Sequence, residues 1–157
     1  MASPTPTFSE LKKSILSGKN LSSVYLLHGE ESYYIDELIK CFENLVPEEE
    51  RDFNLYMLYA PETGADTIMD VCRQYPMMAE RQVVIVKEAQ VCRADQINKL
   101  HSYVSRPNPS TLLVISFRGD VAKGKDLIAA TKSNGVIFES KRLKENNIIP
   151  VSSDLIA

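Results

Sequence analysis

Two apolar runs limit the fold more than any other feature: Val83–Val86 within "RQVVIVKEAQ" and Leu112–Phe117 within "TLLVISFRG". Neither alternates apolar with polar residues. A strand that is apolar on both sides must bury both faces, which requires a sheet covered above and below. Other strand-like segments occur at Val24–Leu27, Phe53–Leu58 and Val136–Phe138. Between the strands, apolar residues recur at three- and four-residue steps, as a helix requires. Ser32–Leu45 does so through Tyr34, Ile35, Leu38, Ile39, Phe42 and Leu45. Asp66–Tyr75 does so through Ile68, Val71, Cys72 and Tyr75, with Asp66 as the expected cap. Asp95–Val104 and Lys123–Thr131 complete the helices, and Pro61 to Gly64 has the chemistry of a loop. Parallel neighbours need crossover connections, so five strands alternating with four helices imply a five-stranded parallel sheet. The expected architecture is a three-layer α/β domain with helices on both faces.

A chain of 157 residues suits one ordinary domain. At 44% hydrophobic and 25% charged, its composition is that of a globular protein. No apolar run approaches the roughly 18 residues of a membrane span. The opening "MASPTPTFSE" lacks the basic and apolar regions of a signal peptide. Cys41, Cys72 and Cys92 are odd in number and scattered, which suits reduced thiols better than a disulfide framework or a zinc site. The expected compartment is the cytoplasm. A net charge of −3 gives no global attraction to nucleic acid, and the local basic cluster of Lys141, Arg142 and Lys144 reads first as a solvated face.

The passage "SSVYLLHGEESYYIDEL" has a strand, a glycine and a helix in the order that begins a phosphate-binding loop. Such a loop has the form GxxxxGK[ST]: glycines for backbone approach, a lysine for the terminal phosphates and a hydroxyl for magnesium. Counted from Gly29, the second glycine falls on Tyr34, the lysine on Ile35 and the hydroxyl on Asp36. Glu30 and Glu31 would add repulsion toward any phosphate. The buried strand Val83–Val86 ends at Lys87 and Glu88, so a lysine takes the place of the expected metal-side aspartate. These defects remove different halves of one site, and no ATP hydrolysis is expected. His28, at a strand end, and His101, within a helix, read as structural rather than catalytic. Neither a G-x-S-x-G elbow nor a GxGxxG fingerprint occurs. No cofactor or metal is expected.

Three segments in order, "VYLLHGEESYYIDELI", "RQYPMMAERQVVIVKEA" and "TLLVISFRG", resemble the delta subunit of the bacterial DNA polymerase III clamp loader. The resemblance covers roughly residues 8–149, the N-terminal domain of that family. It implies an AAA+-like (P-loop NTPase-type) fold with a degenerate nucleotide site, in a subunit that is not itself an enzyme. In that family the subunit binds the beta sliding clamp and helps to open it. Partner subunits bind and hydrolyse ATP, and the assembly, which also includes the gamma/tau and delta prime subunits, loads the clamp on primed DNA. The family continues into a helical lid and collar, so residues 1–149 are expected to be the clamp-binding domain. Residues 150–157 are expected to be a linker or the start of a lid.

Met77 and Met78 follow Pro76 at the exit of a helix. From the residues alone, the pair fits either a core gap or an adaptable protein-binding surface, since methionine serves both. The resemblance implies the second, because the family's clamp-contacting apolar pair lies immediately before A-x-R-Q, here Ala79 to Gln82. An aromatic residue often fills the second position, and Met78 is a softer substitute. The competing expectation is a degenerate P-loop-like scaffold in another assembly, or a nucleotide-binding domain with an unorthodox loop.

Overall fold

Along the third and fourth strands, successive side chains enter two different cores. The computed structural model describes residues 6–76 and 78–141; the tail expected to be a linker or lid lies outside them, as does Met77. In chain order the elements are α1 (Phe8–Ser17), β1 (Val24–Gly29), α2 (Ser32–Glu43), α3 (Arg51–Asn54), β2 (Leu55–Tyr59), α4 (Ala60–Thr63) and α5 (Ala65–Arg73). They continue with β3 (Gln82–Lys87), α6 (Ala94–Asn98), α7 (His101–Val104), β4 (Thr111–Arg118), α8 (Lys125–Asn134) and β5 (Val136–Ser140). The strands form one parallel sheet in the order β2-β3-β4-β1-β5.

One face of the sheet presents Tyr25, Leu27, Val83, Ile85, Leu112 and Val114 to Leu11 and Ile15 of α1 and to Ile35, Leu38 and Phe42 of α2. The other presents Val24, Leu26, Val84, Val86, Leu113 and Ile115 to α5, α6, α7 and α8. The result is the three-layer α/β fold with a five-stranded parallel sheet that the sequence leads one to expect. Each fully buried aliphatic side chain contributes roughly 1.5–3 kcal/mol, so the central strands carry much of the stability.

Several boundaries differ from expectation. The strand expected from Phe53 begins at Leu55, because Phe53 and Asn54 complete the helical turn α3. Arg51 holds that turn, donating from Nε to the Val46 carbonyl at 3.1 Å and from Nη2 to Asn44 Oδ1 at 3.1 Å. The segment expected as a loop at Pro61 to Gly64 is largely helical; Pro61 sits in the first turn, where its missing N–H is not needed. Gly64, not Asp66, is the N-cap of α5. Asp95–Val104 is divided into α6 and α7. The sequence reading has no counterpart for α1, which starts with a capping box: Thr7 and Glu10 each accept the other's backbone N–H.

Candidate functional site

β1 and β4 are neighbours, yet α2 packs on one face of the sheet and α8 on the other. A crevice opens at the carboxyl ends of such a strand pair, the usual ligand position in open α/β sheets. Here the carboxyl end of β1 is engaged on both sides by the chain's own groups. Gly29 N–H donates to the Asp120 carbonyl at 2.6 Å, and Glu31 N–H to the Ser140 carbonyl at 3.4 Å. Ser140 Oγ donates back to the Glu31 carbonyl at 2.6 Å. The Glu31 carboxylate accepts from Tyr33 N–H at 3.3 Å and caps α2. Negative charge is favourable at a helix N-terminus, which accounts for a glutamate where a phosphate would otherwise lie.

The positions counted from the phosphate-loop pattern have other partners. Tyr34 packs against Phe8 with ring centroids 4.8 Å apart and the rings tilted by 51°, and Ile35 is fully buried under the sheet. Asp36 receives Arg118 Nε at 3.0 and 3.2 Å, a half-exposed pair of small energetic weight. Arg118 N–H is held by Gln90 Oε1 at 3.0 Å, and Gln90 Nε2 donates to Glu88 Oε1 at 2.7 Å. Lys87 is exposed at the end of β3, and Glu88 turns the chain in the left-handed region at φ 60°. Lys123 Nζ meets the carbonyls of Gln90 at 2.5 Å and Cys92 at 3.3 Å. Glu88, Gln90 and Arg118 therefore form a connected chain from the end of β3 to Asp36 on α2.

The second candidate lies at the opposite end of the sheet, between α5 and β3. Tyr75 is 82% exposed and Met78 is 100% exposed, with Met78 at φ 55°. Pro76 is half-buried between them. Arg81 Nη2 reaches the Gly18 carbonyl at 3.5 Å, and Tyr56 Oη donates to Gln74 Oε1 at 3.4 Å. Gln82, the last residue of the A-x-R-Q stretch, is 1% exposed. An exposed apolar side chain on a turn with anchored ends can enter a preformed pocket on a partner.

A family model for the delta subunit of DNA polymerase III matches residues 25–141, more than half of the chain. The chain belongs to this family. The DNA polymerase III subunit delta of Bacillus subtilis (strain 168) is 28% identical over 141 residues, which are 83% of this chain and 40% of that protein. The solved Bacillus subtilis DNA clamp loader delta protein superposes with a TM-score of 0.81 at 25% identity, covering 95% of this chain and 47% of that one. A DNA polymerase III gamma subunit-related protein from Thermotoga maritima superposes with a TM-score of 0.54 at 17% identity, over 96% of this chain and 53% of that one, and shows the fold alone. This delta-family chain thus spans less than half the length of the delta relatives it matches. The AAA+-like architecture is shared with both solved structures.

Within this delta-family chain, sequence reasoning missed Gln82, Asn108 and Thr111 as a group that holds the exposed turn. The one available signal was a glutamine heading an otherwise apolar strand. Cys72 is buried, which pushes its thiol up to about 12, so it stays protonated. No helix among the described residues is long and apolar enough to cross a membrane.

His28, on β1, accepts Ala122 N–H on Nδ1 at 3.3 Å and so holds the loop after β4 against the sheet. Burial pushes its pKa below the ordinary value, partly opposed by Glu139. The unfolded chain therefore binds more protons than the folded one in the window below about pH 6.5. The stabilisation is fully present above that pH and is lost as pH falls through the depressed folded value. His28→Gln is expected to flatten the fall in urea midpoint between pH 7.5 and pH 5; an unchanged slope would show that His28 does not carry it.

Proposed function

We propose that this chain is the clamp-binding N-terminal domain of a clamp-loader delta subunit, docking on the beta sliding clamp through Pro76, Met77 and Met78. The observation that carries the reading is Met78, wholly exposed on a positive-φ turn ahead of a buried strand. Its place in the delta family supports the choice of partner. In this reading the domain is not an enzyme. The β1–α2 turn directs amides of Gly29, Glu31 and Tyr33 to protein oxygens rather than to a phosphate. The other clamp-loader subunits, gamma/tau and delta prime, are its partners; ATP chemistry belongs to partner subunits, and DNA is met through the assembled complex in the cytoplasm. In this reading residues 1–149 are assigned to the docking domain and residues 150–157 to a linker or the start of a lid.

Two titrations of the same purified chain test this. Saturable binding to purified beta sliding clamp is expected, together with no saturable binding of ATP at millimolar concentration, with or without magnesium. A micromolar dissociation constant for ATP, or a clamp titration without saturation, would overturn the reading.

A further inference from the structure

We infer that Gln82 is a positioning residue that presets the exposed turn for docking; this rests on the docking reading above. The last carbonyls of a helix need partners outside it, and a glycine commonly turns the chain there. After α5 the sequence is Gln74-Tyr75-Pro76, without a glycine. Side chains from far along the chain meet these carbonyls, at Val71 alongside the Gln74 N–H at 3.2 Å. Gln82 Nε2 lies 3.0 Å from the Val71 carbonyl and 2.8 Å from that of Gln74. Asn108 Nδ2 donates to the carbonyls of Cys72 at 3.2 Å and Gln74 at 3.1 Å. Thr111 Oγ1 donates to the Cys72 carbonyl at 2.7 Å and lies 2.8 Å from Gln82 Nε2.

Gln82 is also where the turn ends, since its backbone N–H enters the sheet on the Ser110 carbonyl at 2.9 Å. One buried residue therefore ties the start of the turn with its side chain and the finish with its backbone. A buried side-chain amide within reach of three oxygens is a rigid anchor, since swinging away would leave its N–H groups without partners. Met78, a non-glycine residue at φ 55°, fits this account, because such backbone persists only where its surroundings fix it. A turn ordered before docking loses less conformational freedom on binding.

The test is a double-mutant cycle on this chain, with purified beta sliding clamp as the probe. Gln82→Met keeps the length of the side chain but cannot donate. It is expected to weaken binding about tenfold, and only about threefold or less in a Met78→Ala background. Unchanged affinity, or an undiminished loss in that background, overturns the inference. If Gln82→Met fails to fold, Asn108→Ala, half-buried in the same network, takes its place with the same expectation. Should Met77→Ala with Met78→Ala leave clamp binding intact, the docking reading falls, and amide exchange judges Gln82 separately. In Gln82→Met the amides of Gln74 and of residue 82, which bond to the Val71 and Ser110 carbonyls at the two ends of the turn, are then expected to exchange at least about tenfold faster while the rest of β3 and β4 keeps its protection. Equal rates overturn it.

Discussion

Replacing Met77 and Met78 together by alanine is expected to weaken binding to the beta sliding clamp by about two orders of magnitude or more. The melting temperature should hardly move. Met78 is 100% exposed, so truncating it removes no packing from the folded chain. A buried methionine cut to alanine would instead cost about 2–5 kcal/mol. On binding, each side chain that enters an apolar pocket contributes roughly 1.5–3 kcal/mol, and about 1.4 kcal/mol is tenfold in affinity. A few such residues commonly dominate an interface. Affinity and melting temperature have to be measured on the same double mutant. Unchanged affinity with a large fall in melting temperature would return the pair to the core and remove this site.

The sheet was legible in the sequence for a physical reason. Val83–Val86 and Leu112–Ile115 are buried on both faces, so each position had to be apolar and the pattern could hardly belong to another element. The edge strand β2 was read less well. It is only partly covered, and the alternation that marks it continues back through Phe53 into a helical turn. Helix α1 carries its signal in Thr7 and Glu10, a short-range capping pattern among residues that otherwise resemble a polar leader. The mount of the exposed turn was hidden for another reason. Asn108 lies 36 residues from Cys72, and Thr111 lies 39 from it, so no local window holds both ends of these bonds. The exposure of Met78 was also open, since methionine is common in cores and on binding surfaces alike. Only the tertiary structure decides that question for Met78.

Gly29→Ala is expected to be the most damaging substitution to stability, costing at least about 4 kcal/mol, a size reserved for backbone strain or core disruption. A Cβ at this position would lie 2.0 Å from the Ser140 carbonyl oxygen and 2.7 Å from its carbon and nitrogen. Those are backbone atoms of β5, paired in register with Gly29 and tied to Glu31 by two further hydrogen bonds. They cannot move aside without parting β5 from β1. The φ of +128° adds strain for any residue with a side chain. For a chain of this size the loss corresponds to a fall in melting temperature of roughly 10 °C. Gly64 provides the control. It also has a positive φ, at +81°, but nothing lies within 4 Å of its missing Cβ. Gly64→Ala should therefore show strain alone, about 1–3 kcal/mol. Urea midpoints of the two variants separate crowding from strain. If Gly29→Ala were no worse than Gly64→Ala, β5 would not press on this glycine, and close approach of a ligand would again be a reason for it. A much larger loss at Gly29 would mean that packing of β1 against β5 is enough to require glycine where a phosphate loop would begin.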